Sequence, residues 1–154
     1  MNVFVSDEQS EPLDAARLRR FAEMVLGAED LPPDTEMAVI FVTPEQIAEY
    51  NRRFMGRDGP TDVLAFPLEE LRPGAVPTPV ANEPPLVLGD VFLCPAEIGK
   101  RSARLGIPYD DFLYLLTVHG ILHLLGYDHE DDDSAELMER REEQLLELVG
   151  RRLS

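Results

Sequence analysis

The chain is 154 residues long, with 44% apolar and 29% charged residues, which suits one soluble domain over 1–154. A chain of this size builds a core without disulfide or metal staples, so any metal it carries is free to be functional. Its formal charge of −16 disfavours binding driven by phosphate neutralisation alone, and no DNA partner is expected.

Asn2 to Val5 could form a short first strand. Leu13, Ala16, Leu18, Phe21, Met24 and Val25 then mark an amphipathic helix, with Pro12 near its start and Gly27 after its end. Met37 to Thr43 is a β-branched apolar run, which predicts a strand buried on both faces. Pro44 opens a second helix, Glu45 to about Phe54. After the turn residues Gly56, Asp58, Gly59 and Pro60, Val63 to Phe66 reads as a strand. Six of the 13 prolines fall between Pro67 and Pro85, predicting a long irregular loop placed to act as a lid. Leu86 to Leu93 is the next strand, interrupted by Gly89. Pro95 to Leu105 is a helix closed by Gly106, and Asp110 and Asp111 begin another that runs to Leu125 and stops at Gly126. The last helix spans about Ser134 to Val149 and stops at Gly150. The sum is an α/β (α+β) fold: a mixed four-stranded sheet with about five helices.

Cys94 is the single cysteine, so no internal disulfide forms. The start, MNVFVSDEQSE, lacks a basic flank followed by an apolar core of secretory length, and a reducing, cytoplasmic setting is expected. The uncharged stretch Phe112 to Tyr127 falls short of the roughly 20 apolar residues a bilayer span takes, so no membrane role is expected. The charge is also uneven. Residues 51–104 hold seven basic and seven acidic side chains, while the rest holds seven basic and 23 acidic. Of the 14 cations 13 are arginine, whose planar fork grips phosphate at two points. In the plain alternative they form a solvated surface.

All three histidines lie within eleven residues, His119 to His129. His119 and His123 are four apart on a predicted helix, which puts both imidazoles on one face. Gly126 lets the backbone reverse, so that His129 can return as a third nitrogen donor. Three protein ligands with an open fourth position are the pattern of a catalytic zinc, one ion per chain; nickel, copper or iron also suit imidazole. The competing reading makes His119 and His123 hydrogen-bonded core residues, since they share a stripe with Phe112, Leu115, Leu116 and Leu122. The spacing HxxxHxxGxxH is also that of the metzincin proteases, where a glutamate general base follows the first histidine. Here that residue is Gly120, so a metalloprotease is the alternative rather than the main reading.

Three segments, YNRRFMGRDGPTDVLAFP (50–67), LGDVFLCPAEIG (88–99) and HGILHLLGYDHEDDD (119–133), resemble the YbeY family of bacterial endoribonucleases, the rRNA maturation factors. The resemblance implies a single-strand-specific metallo-endoribonuclease acting in maturation of the 16S rRNA 3′ end and in ribosome quality control, with single-stranded RNA and the ribosomal subunit as partners. It also implies His119, His123 and His129 as zinc ligands. Met55 stands where the family usually has an arginine thought to act at the phosphate, and Ala65 where it usually has serine. Arg57 is then the candidate for binding the scissile phosphate, with Arg53 as the competing choice if the second helix continues through Gly56. The ion could polarise a phosphoryl oxygen or supply hydroxide, and either water or the RNA 2′-OH could attack. Asp62 and Asp90 are expected to fix loops through backbone hydrogen bonds. Asp128 either orients a ligand or caps its turn. A zinc-containing ribosome-assembly adaptor without chemistry of its own is the third reading.

Overall fold

A computed structural model describes residues 1–75, 77 and 81–153, with side chains as far as 150. Four strands, β1 (Asn2–Asp7), β2 (Glu36–Phe41), β3 (Val63–Pro67) and β4 (Val87–Leu93), form one sheet in the order β1-β2-β4-β3. β1, β2 and β4 run parallel, and β3 pairs antiparallel with β4 on the edge. The sheet is therefore mixed, as expected. The helices are α1 (Ala15–Ala28), α2 (Pro44–Tyr50), α3 (Pro95–Leu105), α4 (Tyr109–Leu124) and α5 (Asp132–Leu153).

The inward residues of the strands, among them Val3, Met37, Val39, Phe41 and Val91, meet Leu18, Phe21 and Val25 of α1 and Val118, Ile121 and Leu122 of α4 in one core. α4 is apolar nearly all round, as a helix enclosed by other elements must be. α5 closes its outer side with Met138, Leu145 and Val149, at the spacing of one helical stripe. Across the sheet, α2 sets Ile47 over Val42, Leu64 and Cys94. No helix among the described residues is long and apolar enough to cross a membrane.

Several boundaries differ from expectation. β2 is not buried on both faces: Met37, Val39 and Phe41 are buried, but Glu36, Ala38 and Ile40 are half-covered, because α2 shields only part of the outer face. α1 includes Gly27 and is capped by Asp14, whose side chain accepts from the Arg17 backbone N–H. α5 continues through Gly150 to Leu153, since glycine there is merely a weaker helix former. The expected second helix is α-helical only to Tyr50. Asn51–Met55 is a π-helical turn that ends at Gly56 with φ +66°, the left-handed conformation that glycine adopts at little cost. Within the expected lid, Arg72 and Ala75 form an isolated bridge; Val76, Thr78, Pro79 and Val80 lie outside the described residues.

Candidate active site

α4 is fixed by close approach to the sheet, and this explains Gly120. A Cβ at that position would lie 2.6 Å from Val91 Cγ1 of β4, inside any real carbon–carbon contact. The helix comes this close to Val91 because position 120 has no side chain, and the glutamate of a metalloprotease has no room there in this packing. The residue that opposes the protease reading by its chemistry also opposes it by its shape.

His119 and His123, on the flank of α4, face a cleft of about 930 Å³. Their ring centroids are 4.5 Å apart, and their Nε2 atoms approach to 3.0 Å. What the Nδ1 atoms do decides the protonation. His123 Nδ1 lies 2.9 Å from the Tyr127 carbonyl oxygen, which only accepts, so Nδ1 carries the hydrogen. His119 Nδ1 lies 2.6 Å from Glu142 Oε1 of α5 and donates to that carboxylate. Both Nε2 atoms are then left with bare lone pairs aimed at each other, an arrangement that repels unless a proton or a cation stands between them. Burial, and next the neighbouring His119, hold His123 below the ordinary histidine pKa, favouring its neutral form.

The donor set fits a transition-metal ion in kind and in spacing. Two imidazole nitrogens at 2.0–2.1 Å from a tetrahedral ion are about 3.3–3.4 Å apart, close to the 3.0 Å of the pair. The third ring, His129, has its centroid 5.9 Å from that of His119 and 5.4 Å from that of His123, and its side chain is 60% exposed. Among the described residues no three His, Cys, Asp or Glu donors are already gathered around one point. A preformed pair with a third donor beside it is what the geometry contains.

Each histidine is oriented by a second group. Gly126 turns the chain at φ +97°, at a point where a Cβ would strike the Leu71 carbonyl; Tyr127 N–H bonds back to Leu122 O at 3.0 Å, and the reversal carries His129 to the cleft. Asp128 contacts both the backbone and the ring of His129: its Oδ1 accepts from His129 N–H at 2.7 Å and lies 3.1 Å from His129 Nδ1. Glu142 was not singled out in the sequence. Its signal was a carboxylate in the apolar stripe Met138, Leu145, Val149 of α5, and its side chain is only 12% exposed.

Arg57 and Met55 line the same cleft, and Arg53 is not among its lining residues. The π-helical turn and the left-handed Gly56 keep the helix from running on to align the two arginines, and the Arg53 guanidinium lies 5.4 Å from the Phe54 ring. Arg57 N–H bonds to Asn51 O at 3.3 Å, and Asn51 Nδ2 donates to Gly59 O at 3.0 Å, so a single asparagine fastens both ends of the loop. Asp62 departs from expectation. Its carboxylate accepts from Arg101 Nη1 at 2.7 Å, and it is its backbone oxygen that holds the Cys94 N–H.

The family model described as "Endoribonuclease YbeY" matches residues 4–150. Proteins of that name from Thermobifida fusca and Acidothermus cellulolyticus are 42% and 41% identical over 146 and 147 residues, each covering 95% of this chain and 92% and 90% of their own lengths. The solution structure of a Thermotoga maritima protein superposes with a TM-score of 0.63 at 28% identity, covering 97% of this chain and 89% of its own. With a matching model over nearly its whole length and relatives of this identity, the chain belongs to the endoribonuclease YbeY family.

Proposed function

We propose that the chain is a cytoplasmic endoribonuclease that cuts single-stranded RNA, with one ion, zinc foremost, held by His119, His123 and His129, and that it acts on the 3′ end of 16S rRNA and in ribosome quality control. Family membership supports the RNA-cleaving activity. The observation that carries the metal is the Nε2–Nε2 approach of 3.0 Å between two imidazoles whose Nδ1 hydrogens are both committed elsewhere. When bound, such an ion polarises a phosphoryl oxygen or lowers the pKa of its water to about 7.

The chain's own residues do the rest. Glu142 and the Tyr127 carbonyl keep the His119 and His123 hydrogens on Nδ1, so that Nε2 stays a donor to the ion. Asp128 restrains His129 in the same way. Arg57, whose side chain has no hydrogen-bond or ion-pair partner among the described residues and which lines the same cleft as the histidines, offers its guanidinium to the scissile phosphate. Unpaired RNA is the expected substrate, because the open cleft gives a strand access to both walls.

The test is elemental analysis of the purified protein and of His123→Ala, beside cleavage assays on single-stranded RNA, its duplex and casein. The expected result is one ion per chain, lost in the variant, with cutting of the unpaired strand that weakens as salt rises. Full metal retention in His123→Ala would sink the ligand set. Cutting of casein alone would restore the protease, and RNA binding without turnover would favour the adaptor.

A further inference from the structure

Two turns of α4 before His119, Phe112 comes to the same cleft, and above it stands a cation. Arg101, near the end of α3, has its Cζ 5.7 Å from the Phe112 ring centroid, within the range of a cation–π contact. Its Nη1 donates to Asp62 Oδ2 at 2.7 Å. That carboxylate is 5% exposed while the arginine is 51% exposed, so the anchor is buried and the guanidinium reaches into the open. Among the described residues Asp62 is the only acceptor Arg101 meets, which occupies one of its five N–H donors. Phe112, Arg101, Arg57 and the histidines all line this cleft.

We propose that Arg101 is a second phosphate-binding residue of the cleft, held ready by Asp62 and Phe112 to take the RNA backbone beside the scissile position. The proposal rests on the RNA-cleaving reading above. Seven residues of helix separate Phe112 from His119, about 10 Å along the axis. Arg101 therefore addresses a neighbouring phosphate rather than the one at the histidines. A guanidinium with a ring beneath it and one edge on a buried carboxylate keeps its other edge for a two-point grip, and little side-chain freedom remains to be lost on binding. It also places a favourable charge inside the cleft of a chain whose total charge is −16.

The alternative is that Arg101 merely neutralises Asp62, and a charge-matched comparison separates the two. Lys100, its neighbour on α3, pairs with Glu97 at 3.4 Å and lines a separate hollow beside Tyr109, so Lys100→Gln removes the same charge outside the cleft. The full chain would be titrated over a salt series with a short unstructured oligonucleotide carrying 2′-O-methyl groups, which removes the 2′-OH as a nucleophile, and the strand checked for intactness after each titration. Arg101→Gln is expected to weaken binding roughly tenfold at low salt and to lower the slope of log K against log salt by about 0.7, the share of one phosphate contact on a single strand. Lys100→Gln should change both much less. Because Arg101→Gln alone leaves Asp62 buried without its partner, the double variant Asp62→Asn/Arg101→Gln removes the pair together, and it should show the same loss of affinity and slope. If Arg101→Gln matches Lys100→Gln, or if the double variant binds as the parent does, the proposal is overturned and the RNA reading stands. A parent that binds no unpaired RNA would overturn that reading, and this proposal with it.

Discussion

His119 and His123 stand on a helix whose other sides are sealed into the core, whereas Arg57 stands on a turn held by two hydrogen bonds of Asn51. The histidine wall takes its position from apolar packing on the sheet and on α5, which fixes backbone and rotamers together. The arginine wall takes its position from a π-helical turn and a left-handed glycine, local devices that re-aim a side chain without involving the core. The difference separates two tasks. On the proposed reading, an ion site tolerates little error in donor placement while a grip on phosphate needs a long cation with some reach, so the rigid wall would carry two of the three donors, His119 and His123, and the adjustable turn the charge.

The comparison would break most visibly at Gly120. With Val91 Cγ1 only 2.6 Å from the position of a Cβ, Gly120→Ala should cost about 1–3 kcal/mol as an overpacking change, seen as a lower denaturant midpoint. Gly120→Glu should cost more and should not create a peptidase. An unchanged midpoint in Gly120→Ala would mean that α4 is less firmly seated than the packing implies. Next in size is Glu142→Gln, which keeps the shape but lets the amide present either a donor or an acceptor to His119 Nδ1. A 10- to 100-fold loss of metal affinity is expected, as for other groups that orient a ligand, measured by competition with a chromophoric chelator. Affinity equal to the parent would show that α5 only covers the site.

The same division explains what the sequence disclosed. The rigid wall was legible because its determinants are periodic: the i, i+4 histidines, the apolar surround of α4 and Gly126 at its end all act within a few residues. Glu142 was not, since its meaning depends on α5 folding back against α4 across 23 positions. The choice between Arg53 and Arg57 turned on whether a helix continued through Gly56, and nothing in NRRFMG separates an α-helix from a π-helical turn. Asp62 looked like a loop fastener because its partner, Arg101, is 39 residues away. The burial of β2 on both faces was over-read from its apolar run, since the cover on the outer face is a helix of only 7 residues.

On the adjustable wall the expected effects are smaller. Arg57→Ala should lower cleavage of single-stranded RNA by about tenfold or more, the scale of losing one charge-assisted contact in the transition state, with metal content unchanged. Met55, 48% exposed in the same cleft, offers the reverse experiment: Met55→Arg should raise the rate or leave it unchanged. A fully active Arg57→Ala together with a large gain in Met55→Arg would mean that the phosphate wall of this chain lacks its cation.

The smallest effect is expected away from both walls, at Asp90. It sits directly across from Phe66 in the β3–β4 register, and burial alone pushes its carboxyl above the ordinary aspartate pKa. The folded state thus holds the proton more tightly than the unfolded chain does. The charged form opposes folding at neutral pH, and that penalty is relieved as pH falls through the raised value toward the ordinary one near 3.9. Asp90→Asn should therefore raise the denaturant midpoint slightly at pH 7, with a gain that shrinks steadily on acidification, and should leave metal content as in the parent. A gain that grew toward acid pH would reverse the sign of the argument and point to a partner that stabilises the carboxylate. A change in metal content would mean that the outer face of the sheet communicates with α4, and the separation of the two walls from the rest of the fold would have to be redrawn.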